Sequence, residues 1–254
     1  MAVAIDPQSA HILQSIKQTG QVNKDAINDY GNVLSAETVF LVTQCLNTTI
    51  EPLLQGDNQY DLIEEYLNKS LTNSQYQSIE GIYRIRQADF DIRYKECEDN
   101  PHRLLLWHGS GRGFWMSILS TGLFTPGQTI FTSKAVSNFS PQQGYGIFFA
   151  DMAAKAIGYT TRDGTNPNIL TMGLFDVCLG QQHAYFQGQV AAGGFASMLI
   201  DGQNKPNQAQ HLFIARNLQI PIGDVVNKGG RMCEYIVQRP EQARLMYIVR
   251  LRVR

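Results

Sequence analysis

The chain has 254 residues, 43% of them hydrophobic and 17% charged, with a formal net charge of −1. That is enough apolar material for one large domain with a real core, and it gives no support to a generic nucleic-acid-binding surface. Cys45, Cys97, Cys178 and Cys233 lie far apart with no C-x-x-C pair, which argues against a zinc site. The expectation is reduced thiols in an intracellular protein, with no signal-peptide pattern and no apolar run near the roughly 20 residues that span a bilayer.

Residues 1–56 read as a short helical segment before the main domain at 57–254. Asp6 and Pro7 supply an N-cap and a first-turn proline, Ile12, Leu13 and Ile16 follow at helical spacing, and Gly20 is a stop. A second helix starts at Ser35, with Val39, Val42, Leu46 and Ile50 on one face. Pro52 and the run Gln55-Gly56-Asp57-Asn58 then break the pattern and mark the boundary. A helix over residues 61–71 follows, its stripe Ile63, Tyr66, Leu67 and Leu71 facing a core. Residues 79–85 read as a strand with Ile79, Tyr83 and Ile85 on one face.

Leu104-Leu105-Leu106-Trp107-His108-Gly109-Ser110 organises the rest. A buried strand ends at once in an imidazole, a glycine that allows close backbone approach and a hydroxyl. Alone, such an ending is an ordinary turn. A helix over 113–121, a turn at Gly122 and a long polar loop over 125–146 come next, the loop being of a length that is usually functional. The second half reads as strands: 169–179 closed by Gly180, 234–237 ended by Pro240, and a final half-buried strand alternating through Leu245, Tyr247, Val249, Leu251 and Val253. Arg250, Arg252 and Arg254 share its other face and read as a solvated edge that discourages aggregation. Long irregular connections between strands predict an α+β fold with antiparallel sheets.

Two later blocks sharpen the first. Gly144-Tyr145-Gly146-Ile147-Phe148-Phe149-Ala150-Asp151 runs into a helix carrying Lys155, Ala156 and Tyr159, and Cys233-Glu234-Tyr235-Ile236-Val237 opens an apolar strand with a carboxylate. In this order, together with Leu105 to Ser110, Ile118-Leu119-Ser120-Thr121-Gly122-Leu123 and Val177-Cys178-Leu179-Gly180, they resemble the catalytic domain of the poly(ADP-ribose) polymerase family over most of residues 60–254.

The resemblance implies an ADP-ribosyltransferase fold of two packed, mainly antiparallel sheets with flanking helices, and NAD+ as substrate with no metal. By position it implies that His108 holds the adenosine ribose, that the Gly109 backbone pairs with the nicotinamide amide, and that Ser110 and Gly146 border the dinucleotide. Phe148 and Tyr159 would sandwich the nicotinamide, and Glu234 would be the catalytic carboxylate, completing a His108–Phe148–Glu234 motif. The chemistry asks for such groups. Cleaving the nicotinamide–ribose bond builds positive charge on the sugar, as in glycoside hydrolysis. A fixed carboxylate stabilises that charge and polarises an acceptor hydroxyl, while aromatic faces hold the cationic ring.

The sequence departs from the family pattern at Phe148, where a tyrosine is usual, at Ala156 for a serine, and at Phe114 and Phe124 for an asparagine and an arginine. The family's full helical regulatory domain does not fit into residues 1–56. The expected reaction is transfer of ADP-ribose to a protein or nucleic-acid acceptor, with Glu234 compatible with elongation to poly(ADP-ribose). The rival is an NAD- or ADP-ribose-binding module with little turnover, kept alive by those four departures. An NAD-using RNA 2′-phosphotransferase is disfavoured by the near-neutral charge and the glutamate. Expected partners are NAD+ and an acceptor, with neither a membrane nor direct nucleic-acid binding, in the nucleus or the cytoplasm.

Overall fold

The computed structural model describes residues 48–71, 76–125, 146–161, 168–183, 194–226 and 229–253. The first predicted helix, residues 35–47 of the second, most of the 125–146 loop with Gly144 and Tyr145, and Arg254 lie outside them.

A seven-stranded sheet carries the fold. It contains β1 (Thr48–Leu53), β2 (Tyr76–Gln87), β3 (Arg103–Gly109), β5 (Ile169–Cys178), β9 (Leu212–Ala215), β10 (Leu218–Ile220) and β13 (Ala243–Val253), in the order β1-β2-β13-β5-β3-β10-β9. A four-stranded sheet holds β4 (Ile147–Phe149), β6 (Gln181–His183), β7 (Ala196–Ile200) and β12 (Glu234–Val237), in the order β4-β12-β7-β6. A short ribbon pairs β8 (Lys205–Pro206) with β11 (Val225–Val226). Pairing is antiparallel throughout both sheets except at β3–β10 and β6–β7. The expected α+β architecture is what the chain adopts.

Strand β3 is buried on both faces, which is why its sequence is a continuous apolar run rather than an alternation. Leu106 faces a core between the two sheets, with Phe149, Phe175, Tyr235, Val237 and Leu245, closed by Trp115, Ile118 and Leu119 of helix α3 (Trp115–Thr121). Leu105 and Trp107 face the other way, onto Ile63, Tyr66 and Leu67 of helix α1 (Asn58–Ser70). Those three helical side chains are completely buried, each worth roughly 1.5–3 kcal/mol of transfer free energy in the aliphatic cases. Asp57 caps α1 by accepting from the Gln59 N–H. Helix α2 (Ala88–Tyr94) follows β2, and α3 stops at Gly122, whose φ of 79° is the left-handed geometry that favours glycine.

Three expectations change. Ile50 and Pro52 stand in β1, paired to Ile85 and Tyr83, rather than at a helix end; the proline sits on the outermost strand, where it is tolerated. Ile79 packs with Ile82 on the α1 side, while Tyr83 and Ile85 face the inter-sheet core. A register shift leaves Glu80 unmatched between Gly81 and Ile79, and one extra residue reverses the side-chain alternation. Finally, β13 is central, between β2 and β5, so its arginines mark no edge. Arg250 is exposed and the Arg252 Nε donates to Glu80 Oε1 at 2.5 Å.

Among the described residues the two sheets meet where β3 passes the end of β4. Trp107 and Ala150 exchange backbone hydrogen bonds of 2.8 and 2.9 Å, so β3 and the end of β4 run side by side there. The next residue of β3 is His108.

Candidate active site

His108 stands next to last in β3, half-buried, with its ring 5.5 Å from that of Phe149 and 5.6 Å from that of Phe175. Its Nδ1 lies 2.8 Å from the Phe148 carbonyl oxygen. A carbonyl only accepts, so Nδ1 carries the hydrogen, and a neutral ring keeps Nε2 as an acceptor for a hydroxyl. Burial lowers the pKa of the ring below the ordinary 6.5, against the opposing pull of the Phe148 carbonyl. The neutral ring is thus favoured by folding, a contribution present above the ordinary value and lost as pH falls through the folded one. An NMR titration of this imidazole is expected to give a midpoint below 6.5. A midpoint above 6.5 would mean that an unseen carboxylate, not burial, governs the ring.

Gly109 is the last residue of β3, and its lack of a side chain is required: a Cβ there would collide with the Ala156 carbonyl oxygen. The close approach brings helix α4 (Ala153–Ala156) and the following 3₁₀ turn, Ile157–Tyr159, against the strand end. Ser110 follows, half-buried, and the Arg112 N–H donates to Thr161 Oγ1 at 2.9 Å, tying the next loop to the far side of Tyr159. Gly146 is buried against the Ile236 side chain, where a Cβ would not fit, so it sets the distance between β4 and β12.

Glu234 begins β12 and is 8% exposed. Ile236 lies directly opposite Phe148, so by the two-residue period Phe148, Ile236 and Glu234 share one face. Tyr235 and Phe149, one residue off, point into the inter-sheet core. From α4 the Lys155 ammonium pairs with Glu234 Oε1 and lies 5.9 Å from the centre of the Tyr159 ring. Burial works against the charge of Lys155, yet the hydrogen bond and charge of Glu234 hold its pKa above the usual lysine value. Tyr159 is 53% exposed, an aromatic face open at the rim of the site.

The structure therefore gathers His108, Gly109 and Phe148 at one junction, and Glu234, Lys155 and Tyr159 beside it. Phe114 and Phe124 are exposed, at 55% and 39%. Lys155 stands in the sequence only as a residue of the helix after the Phe148 block; its pairing with Glu234 depends on the fold. Sequence reasoning missed Asp151, which is 3% exposed and accepts from the Tyr235 hydroxyl at 3.2 Å. Burial pushes this carboxyl up to about 6, opposed by the hydrogen bond from Tyr235. The only available signal was an acid directly after an apolar strand, which is as common in helix starts.

A cavity of about 650 Å³ lies at the other end of β3, around His102, Arg103, Gln181 and Gln219. The Arg103 guanidinium that lines it is already taken by Asp176. Among the described residues no group of three His, Cys, Asp or Glu side chains is placed to hold a metal ion, and no helix is long and apolar enough to cross a membrane.

Residues 57–253 match the family model of the poly(ADP-ribose) polymerase catalytic domain. The chain is 26% identical over 236 residues to poly(ADP-ribose) polymerase 2 of Arabidopsis thaliana, covering 86% of this chain and 35% of that protein. To poly(ADP-ribose) polymerase 2 of Homo sapiens it is 27% identical over 222 residues, covering 81% and 36%. To protein mono-ADP-ribosyltransferase PARP3 of Homo sapiens it is 23% identical over 221 residues, covering 81% and 39%. The chain thus spans only about a third of the length of these relatives.

Proposed function

The chain belongs to the poly(ADP-ribose) polymerase catalytic-domain family, and from that membership we propose that it cleaves the nicotinamide–ribose bond of NAD+ and transfers ADP-ribose to a protein acceptor. The observation that carries the reading is the Glu234 carboxylate, held by Lys155 on the same sheet face as Phe148 and next to the open Tyr159 ring.

In this reading Phe148 and Tyr159 form the two walls for the planar nicotinamide, a cation that aromatic faces attract by about 1 kcal/mol or more when desolvated. The Gly109 backbone, kept clear of any Cβ, meets the carboxamide, and the His108 Nε2 accepts a ribose hydroxyl. Gly146 and Ser110 border the remainder. Glu234 stabilises the positive charge that grows on the ribose as the bond to nicotinamide stretches. The same carboxylate accepts a proton from the incoming acceptor hydroxyl as the new bond forms. Lys155 orients it before substrate arrives. That a carboxylate occupies this position also suits elongation, in which the acceptor is a hydroxyl of a previous ADP-ribose unit.

The test is incubation of purified protein with NAD+ labelled in the adenine moiety, following nicotinamide release and label on protein. Release with labelling supports the transferase, and gel mobility then separates polymer from single units. Saturable NAD+ binding without release would establish the binding-module reading instead.

Ala156 offers an independent check. It is buried, and its backbone carbonyl abuts Gly109, the residue this reading puts at the carboxamide. Ala156→Ser is expected to lower the KM for NAD+ by about fivefold, the effect of one net hydrogen bond of about 1 kcal/mol. An unchanged KM would place the nicotinamide amide elsewhere.

A further inference from the structure

Asp151 leaves β4 just beyond the Trp107–Ala150 junction, on the face of the small sheet opposite to Glu234. The register Tyr235↔Phe149, continued by one pleat, sets Asp151 beside Cys233. Tyr235, the residue that follows Glu234, therefore leans on this carboxyl. The Tyr235 hydroxyl donates to its Oδ2 at 3.2 Å. Its backbone carbonyl accepts from the Tyr66 hydroxyl at 3.0 Å, which anchors the same residue to α1 across the large sheet. Cys233 is held in turn by the Gly202 N–H at 3.2 Å and by Asp201 Oδ1 at 3.6 Å, and Asp201 is paired to Lys205 at 2.7 Å.

One oxygen of this carboxyl, Oδ1, is buried with no hydrogen-bond partner. Leaving a buried acceptor unpartnered is destabilising. A spacer with no task would be cheaper as an apolar residue of the same volume. The carboxyl is tolerable here if what it holds in place is worth that cost.

We infer that Asp151 is a positioning residue for Glu234, fixing the head of β12 through Tyr235 so that the Glu234 carboxylate stands at the reacting bond. The inference rests on Glu234 being the reacting carboxylate of the proposed transferase. It deepens that reading by assigning the alignment to a residue that touches neither NAD+ nor acceptor. Alignment is energetically large: a displacement of a reacting group by about 1 Å costs on the order of 100-fold in rate.

The experiment compares Asp151→Asn, Tyr235→Phe and the double variant. Steady-state nicotinamide release gives kcat and KM, and amide hydrogen exchange follows Glu234–Val237. Each single variant is expected to lower kcat by roughly tenfold or more while the KM for NAD+ stays within about threefold. The double variant should fall no further than the worse single one, because both remove the same linkage. Exchange at Glu234–Val237 should quicken in all three. Additive losses, or a lowered melting temperature with kcat and exchange unchanged, would reduce Asp151 to a packing residue. Tyr235→Phe, which removes only a hydroxyl, serves if Asp151→Asn does not fold. If the wild-type protein released no nicotinamide, the transferase reading would fail. The exchange data would then decide alone, quickening upholding Asp151 as the anchor of β12 and no change overturning it.

Discussion

Glu234→Gln is expected to lower nicotinamide release by on the order of 10³-fold, with NAD+ binding weakened less than tenfold. Glutamine preserves the shape and the buried environment of the position and removes only the charge. In the ground state that charge faces Lys155, so its loss costs binding little. In the transition state it faces a sugar approaching an oxocarbenium ion, and there its loss is felt in full. A thousandfold is about 4 kcal/mol, within the range for one preorganised electrostatic contact in a desolvated site. The measurement is single-turnover release beside calorimetric NAD+ binding. Release retained within tenfold of wild type would remove Glu234 from the chemistry. Parallel loss of both quantities would show a collapsed pocket rather than a missing catalyst.

Asp176→Ala is expected to cost about 3–5 kcal/mol of stability, lowering the melting temperature by about 10 °C. Asp176 is completely buried and accepts from both Arg103 and Arg244, with the Tyr94 hydroxyl donating to Oδ1 at 2.6 Å. Arg103 also donates to the Glu98 and Arg216 carbonyls at 2.6 and 3.2 Å, and Arg244 to the Glu98 carboxylate at 3.1 Å. Removing the carboxylate leaves guanidinium charge in the interior without its main counterion, which is the costly case. Replacing Arg103 by methionine as well should recover part of the loss, since one of the stranded charges then disappears. The network sits at the first residue of β3, roughly 17 Å along the strand from His108. Below the transition, therefore, the KM for NAD+ should be unchanged. A melting temperature within a degree of wild type would make the network ornamental.

Much of the site was legible because its signals are short-range. The apolar run before His108 announced a doubly buried strand, and glycines at 109 and 146 marked places where backbone or side chains press close. Helix α1 showed in its Ile63, Tyr66, Leu67 stripe. Each of these follows from residues within a few positions of one another, where periodicity and turn chemistry act.

What failed was long-range. The face taken by Ile79 depends on a bulge created by pairing with β13, and nothing in residues 76–87 encodes that shift. The final strand reads as an edge because arginines alternate along it, yet it is central, since strand order is set by which faces the other strands must bury. The pairing of Lys155 with Glu234 and the link from Asp151 to Tyr235, 84 positions apart, arise only when β4 and β12 come into register.

By itself the sequence determined the family, the α+β class and the inventory of the proposed site: an imidazole, two aromatic rings and one carboxylate. The tertiary structure alone decided which of those groups stand together, which tautomer His108 holds, and what braces Glu234 from behind. The physical reason is that side-chain type and local periodicity are properties of neighbouring residues. Contacts across the sheets depend on strand order and register, which the packing of both cores selects together.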